Sequence, residues 1–386
     1  MKFMLNAIKK ELAYGYRWLF IVLAVILASA SVATSGFVRA PAPSEYNVVK
    51  ALVLSTDDSA LTPDPYITGM YIGMQPVTLR IISGEFEGVT IELRNAMSRA
   101  FNIHCEKGMT ILCNVRGEDG ILTGADVFGY SRDRMVYLLV AVFALLIIVI
   151  GRSKGIYSII SLFFTLIIVL CFLIPRVMAG ADPVSIAIVT AVISTVITVF
   201  IVSGVNIKSL AAVAGVSAGI AASAVTASVA GAFGNLSGIH MPEAQEMISL
   251  TRDIPLNVPK LLYAGIIIAS LGAIMDVGMS VSSAVFEVYE ANKTLSTRAL
   301  LRSGMNVGRD IMGTMSNTLI LAFAGSSISV LMILVMYNLP YLRLINLDIL
   351  CVEILTGFAG SIGLILTIPL TALCASVMSV KIGSQA

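Results

Sequence analysis

The sequence predicts an α-helical transmembrane bundle of eight spans, with both termini in the cytoplasm and a small extracytoplasmic β-barrel of OB or SH3-like type after the first span. Of the 386 residues, 57% are hydrophobic and only 12% are charged, whereas soluble proteins carry about 25% charged residues. Apolar runs of about 20 residues, the length that crosses a bilayer, recur along the chain. One segment, residues 36–134, lacks such runs and contains short alternating apolar stretches.

Eight apolar runs are the predicted spans. They cover residues 18–34, 135–150, 156–177, 184–202, 210–232, 261–286, 311–336 and 349–378. The first run also fits a secretory signal peptide, because it has a charged flank, an apolar core and the small residues ASA at 28–30. The stretch before its apolar core is long for a signal peptide, which favours a membrane anchor that is not cleaved. The predicted parts are a cytoplasmic lead with the first span (1–35), an external domain (36–134) and a seven-span domain (135–386).

The orientation follows from the basic residues of the short loops. With a cytoplasmic N-terminus, their Lys and Arg residues split twelve to four in favour of the inner side. We therefore expect both termini inside, residues 36–134 outside, and the lipid bilayer as the first partner of the chain.

The external segment has the pattern of a small β domain. Five candidate strands, residues 48–55, 75–82, 88–94, 109–115 and 121–127, are separated by turn sequences such as SGEFEG and RGEDG. This number and spacing favour a small closed barrel of OB or SH3-like type. Acidic residues outnumber basic ones in the segment, so nucleic-acid binding is not expected.

The cysteines and histidines are too few for a metal or redox centre. Cys171, Cys351 and Cys374 lie in apolar runs, and neither a metal nor another cofactor is expected. Cys105 and Cys113 lie in the external segment, where an oxidising environment would allow a disulfide. The alternative is that Cys113 packs in the barrel core as a small hydrophobic residue.

The fifth predicted span carries small residues on one face. Gly215, Gly219, Ser223 and Gly231 belong to a series that repeats every four residues. Such a face lets two helix backbones approach closely in lipid. It predicts a tightly packed central helix, or a sliding surface in a transport cycle.

Asp276 is the acidic residue that lies well inside a predicted span. A charged residue there is costly and usually does ion or proton chemistry. Gly272 and Ser280 flank it at helical spacing, so we expect this small face, with Asp276, to point at another helix. The hypotheses are a titrating coupling site and a protonated group that holds two helices together.

Partners for Asp276 are expected in the next span. Ser316, Asn317 and Thr318 fall near its depth on an antiparallel neighbour, and a contact to Asn317 or Ser316 is the predicted geometry. Arg309 and Asp310 lie at the membrane edge, as a surface ion pair or as snorkelling side chains. Residues 288–301 are predicted to form an amphipathic segment on the inner leaflet.

Enzymatic motifs are missing from the sequence. There is no HExxH, no P-loop, no GxGD with a second intramembrane Asp and no intramembrane His to activate a serine. We therefore expect no enzyme.

Two sequence blocks carry a family resemblance. LGAIMDVGMSVSSAVFEV and SGMNVGRDIMGTMSNTLILAFAGSS resemble the YibE/F family of bacterial polytopic membrane proteins, which implies the bacterial cytoplasmic (inner) membrane. The Asp-bearing span and the polar helix after it are also similar to the central spans of SecF and the resistance-nodulation-division transporters. That resemblance implies a proton-coupling role for Asp276. Two extra spans separate the external domain from this core here, which makes the second resemblance an analogy.

Two functional hypotheses follow. The first is a proton-coupled or other ion-coupled transporter or export-assisting factor, with Asp276 as the coupling acid and the barrel as a lid or docking module. The second is a scaffold or receptor that does not transport and whose external domain binds a partner. Either form can act as a homo-oligomer or with a partner membrane protein, and the sequence does not identify a substrate.

Overall fold

A computed structural model of the chain describes residues 47–118, 121–239, 241–250 and 257–383. The predicted first span, residues 18–34, lies outside this range. The described chain divides into a β unit, which extends to residue 147, and a helical unit from residue 148 onwards.

The β unit contains one antiparallel sheet. Its strands are β1 (Asn47–Thr56), β2 (Leu61–Pro63), β3 (Tyr71–Ile81), β4 (Thr90–Met97), β5 (Thr110–Glu118) and β6 (Ile121–Tyr130). β1 pairs with β3 and β5, β5 pairs with β6, and β3 also pairs with β2 and β4. The sheet is a half-barrel, since no ladder joins β4 to β6 among the described residues.

The core of the sheet follows a period of two. Alternate residues of β1, β3 and β5 are buried on one face, as expected for a sheet with one covered side. Cys105 and Cys113 are buried in this core and both are free thiols. The disulfide is therefore not formed, and Cys113 packs as a small hydrophobic residue on β5.

The described helical elements follow the sheet in the chain. They are α1 (Asp133–Ile168) with a π-helical turn (Val169–Leu173), α2 (Ile174–Met178), α3 (Pro183–Ser203), α4 (Ile207–Phe233), α5 (Pro242–Leu250), α6 (Val258–Ala291), α7 (Thr297–Ser326), α8 (Ile328–Met336), α9 (Tyr341–Leu344) and α10 (Asp348–Gly383). Arg152 interrupts α1 with a φ of 50°. α7 and α8 are bent by 63° at Ser327.

Among the described residues, five helical segments are long and apolar enough to cross a membrane, and the bent α7–α8 pair makes a sixth. The first, Asp133–Met178, has 46 residues and contains the interruption at Arg152. The predicted amphipathic segment over 288–301 is not a separate element, because α6 extends to Ala291 and α7 begins at Thr297. The predicted span over 311–336 is broken at Ser327.

The centre of the helical unit is a contact of α4, α6 and α10. A Cβ atom built on Gly215 would overlap Thr371, and one built on Gly219 would overlap Thr367, both on α10. Gly363 of α10 lies against Ser223, with 2.6 Å between its added Cβ and the Ser223 Cβ. Gly231 lies against the ring of Tyr263 on α6 in the same way.

Candidate functional site

Asp276 lies near the middle of the 34-residue α6, on an exposed face. Gly265, Gly272 and Ser280 share this face, because they lie eleven, four and four residues from Asp276, which is close to three turns and to one turn of the helix. We call these four residues the Asp276 stripe. A Cβ added to Gly272 would meet no atom within 4 Å. Gly272 therefore does not pack against another described helix, contrary to prediction.

The predicted partners of Asp276 on α7 form no hydrogen bond with it among the described residues. Within the described residues, Asp276 makes no hydrogen bond or ion pair, and Asn317 is exposed. The Ser316 hydroxyl is buried and also lacks a hydrogen-bond partner there. Thr318 donates its hydroxyl hydrogen to the Thr314 carbonyl at 2.8 Å. Among the described residues, no hydrogen bond therefore joins Asp276 to Asn317 or Ser316, and a contact between them stays a prediction.

Arg309 and Asp310 do not form an ion pair with each other. Both are exposed, and Arg309 donates to the side-chain oxygen of Asn306 at 3.4 Å. Consecutive residues of a helix point in different directions, whereas residues three apart are neighbours. The hydrogen bond of Arg309 therefore joins it to a residue one turn earlier on α7 and not to Asp310.

A second acidic residue, Glu353, lies in the apolar part of the helical unit. It is half-buried in the second turn of α10. Ser327, the residue at the bend between α7 and α8, donates its hydroxyl hydrogen to the Glu353 carboxylate in a short hydrogen bond. This pair was not predicted from the sequence, because Glu353 lies near the edge of a predicted span. The sequence feature that could have indicated this pair is the dipeptide Ser326–Ser327 within a mostly apolar run.

Glu353 lines a cavity of about 460 Å³, which we call the Glu353 cavity. It lies between α5, the first turns of α6, the α7–α8 bend and the start of α10. Apolar side chains form most of its wall, among them Leu262, Phe323 and Val352. This volume falls within the range of small-molecule sites.

The β unit contains a buried polar network. Gln75 is fully buried, and its amide donates to the Asp58 carboxylate at 2.7 Å and to the Cys105 carbonyl at 2.8 Å. The ring of His104 lies 3.1 Å from Asp58 and stacks on Tyr71. The hydrogen bond from Gln75, followed by that from His104, lowers the pKa of Asp58, although burial opposes the shift. The network fixes the loop before β5 to the sheet.

The described residues of the two units contain no cluster suited to a metal. Among the described residues there is no group of three or more His, Cys, Asp or Glu side chains that could bind an ion. Burial raises the pKa of Cys105 to about 11 and that of Cys113 to about 12. Both thiols therefore stay protonated and unreactive near neutral pH.

The half-barrel and the series of long apolar helices define a polytopic membrane protein with a β domain. A family model described as YibE/F-like protein matches residues 139–381. The chain belongs to the YibE/F family. No match was found among curated proteins or among solved structures.

Proposed function

We propose that the protein is a proton-coupled transporter or export-assisting factor of the bacterial cytoplasmic membrane, with Asp276 as its coupling acid. The observation that carries the proposal is an acidic side chain in the middle of an apolar helix without a partner among the described residues. An Asp at the centre of a membrane helix costs about 2.5 to 3.5 kcal/mol. A hydrogen bond to a neighbouring helix would offset that cost if the role were structural, and none is formed with the described helices.

The Asp276 stripe supports contact with a further helix. Gly265, Gly272 and Ser280 leave room beside the acid, and small residues allow close approach of helices in lipid. We propose that a second copy of the chain or a partner membrane protein covers the stripe. The acid would then exchange its proton within that contact.

The proposed topology has eight spans with both termini inside. The interrupted run Asp133–Met178 counts as two spans and the bent α7–α8 pair counts as one, which gives seven with α3, α4, α6 and α10. The predicted span at 18–34 would be the eighth. The positive-inside distribution supports an extracytoplasmic position for residues 36–134.

We propose an OB-like connectivity for the β domain. β1 leads to a meander with β3 and β4, while β5 returns to pair with the opposite edge of β1 and continues into a hairpin with β6. This arrangement of five long strands supports an OB-like barrel. Its role would be that of an external lid or docking module, and no enzymatic step is proposed.

Substitution of Asp276 tests the coupling role. Asp276→Asn keeps the size of the side chain but cannot titrate. The variant should fold and insert normally, yet fail to complement a deletion strain and lose proton movement in liposomes that contain a pH-sensitive dye. Asp310→Asn, which removes an exposed acid from α7, is the matched control and should behave as wild type. Full proton movement and complementation by Asp276→Asn would reject the coupling role.

A scaffold or receptor is the second candidate, and exposed aromatic residues of the β unit favour it. Tyr66 is 82% exposed and Phe101 is 75% exposed. Their loops are joined, because Arg99 donates to the Asp64 carboxylate at 2.6 Å. Exposed aromatic residues are common at protein contacts. Absence of proton movement by the wild-type protein in liposomes, together with loss of complementation in a Tyr66→Ser, Phe101→Ser double variant, would favour this function.

A further inference from the structure

We propose that the Glu353 cavity binds an organic cation with an apolar body. The inference rests on the proposed function and names its substrate class. It depends on the volume of the cavity, the composition of its wall and the position of one carboxylate.

The charges of the wall favour a cation. Among the described lining residues, two are acidic, Glu353 and Glu243, and none is Lys, Arg or His. Among the described residues, the hydroxyl of Ser327 is the hydrogen-bond partner of Glu353. A carboxylate has about four acceptor positions, so Glu353 can accept further hydrogen bonds or an ion pair. A positively charged ligand would supply a counter-charge that the described lining residues do not provide.

The helix ends at the cavity do not reverse this preference. The C-terminal end of α7 and the N-terminal end of α8 meet at Ser327. Their partial charges have opposite signs and offset each other. The first turns of α6 and α10 also line the cavity and contribute a partial positive charge of about half a unit each, which is less than the two full negative charges of Glu353 and Glu243. The carboxylates therefore decide the sign of the ligand.

The rest of the wall favours an apolar body over a bare metal ion. Met241, Leu262, Ile266, Phe323 and Val352 supply apolar surface. Hard divalent cations need several oxygen ligands, and no suitable cluster exists among the described residues. An ammonium group with an attached hydrocarbon fits both parts of the wall.

The cavity is continuous with the Asp276 stripe. Gly265 lines the cavity and lies eleven residues before Asp276, close to three helical turns and about 16 Å along the axis. Ala269 and Gly272, which lie between them, are also exposed. One face of α6 therefore runs from the proposed substrate site to the proposed coupling acid, and the proposed partner of the stripe would lie along it.

Binding of benzyltrimethylammonium to the purified protein in lipid nanodiscs tests the inference. Isothermal titration calorimetry should detect the cation. The neutral isostere neopentylbenzene and the anion benzenesulfonate should bind at least about tenfold more weakly. Glu353→Gln should weaken cation binding by about tenfold or more.

A second variant tests the location without removing a charge. Gly265→Leu puts a side chain into the cavity, where an added Cβ meets no atom within 4 Å. It should abolish binding without lowering the thermal midpoint. Gly313→Leu adds the same side chain to open space on α7 and should bind like wild type. Absence of cation binding to wild type, or equal binding by wild type and Glu353→Gln, would overturn the inference.

The proposed function and the inference fail in different ways. The titration uses no gradient and does not depend on Asp276. Cation binding without proton movement in liposomes would reject the coupled transporter and keep the cation site. Proton movement without cation binding would reject the cation site and keep the transporter.

Discussion

Ser327, at the bend between α7 and α8, donates its hydroxyl hydrogen to the carboxylate of Glu353 on α10. This hydrogen bond joins the broken helix to α10. Ser327 is buried, so its hydroxyl has little access to other partners.

Loss of the Ser327 hydroxyl should destabilise the helical unit. A hydrogen bond to a charged group contributes about 1.5 to 3 kcal/mol, and Ser327→Ala should lower the thermal midpoint accordingly. Ser326→Ala is the matched control, because Ser326 donates to the Phe323 carbonyl within its own helix at 2.7 Å. Equal thermal midpoints for the two variants would show that the hydrogen bond from Ser327 to Glu353 contributes nothing to the stability of the helical unit.

Gly219→Ala should lower the thermal midpoint, whereas Gly313→Ala should not. Alanine is favoured over glycine in a helix by about 1 kcal/mol, so Gly313→Ala, in open space, should raise the midpoint or leave it unchanged. A Cβ at position 219 overlaps Thr367, and overpacking costs about 1 to 3 kcal/mol. Thermal unfolding of both variants in the same nanodiscs checks the difference. A stabilised Gly219→Ala would contradict the close contact of α4 and α10.

The thiols of Cys105 and Cys113 should react slowly in the folded protein. Burial raises the pKa of each well above neutral, so little thiolate is present and access is limited. Iodoacetamide at mildly alkaline pH should modify both only after unfolding, whereas an exposed Glu92→Cys variant should react at once. Intact mass without reductant is the second readout. A mass two daltons lower, localised to these residues, would indicate a disulfide.

The ion pair between Lys260 and Asp182 should make stability depend on pH. Lys260 donates to Asp182 at 2.6 Å. This hydrogen bond, with those of Ser185, lowers the pKa of Asp182 to about 2. An unfolded Asp has a pKa of about 3.9, so the contribution is complete above that pH and is lost as the pH falls towards 2.

The corresponding variant is Asp182→Asn. Its thermal midpoint should lie below that of wild type at neutral pH, and the gap should close as the pH falls from about 4 towards 2. Asp310→Asn should show no such gap. A gap of constant size across this pH range would mean that the charge of Asp182 is not responsible.

The orientation can be tested with single cysteines in a variant that lacks the native ones. Ser153→Cys should react with an impermeant maleimide only from the cytoplasmic side, and Glu85→Cys only from outside. Both native positions are exposed. Labelling of Glu85→Cys from the inside would reverse the proposed topology.

The local elements were predictable because their patterns are periodic. The alternation of apolar residues located the five long strands, although not the three-residue β2. Repeated small residues identified the face of α4 that carries Gly215 and Gly219. Both patterns depend on the residues of a single element and need no knowledge of its neighbours.

The partners of these faces were not predictable in the same way. A small face permits close packing but does not require it, so the same pattern describes buried Gly219 and exposed Gly272. The bend at Ser327 was missed because apolar residues continue on both sides of it. The Glu353 cavity was missed because its wall comes from four separate parts of the chain.

The half-barrel has a consequence for the solubility of the β unit. β4 and β6 are its outer strands, and unpaired strand edges promote aggregation between molecules. Glu92 and Arg94 place opposite charges on β4, and both are exposed. The β5–β6 pair contains two register shifts, which disturb its regular ladder. Charge on one outer strand and irregularity at the other thus oppose intermolecular strand addition.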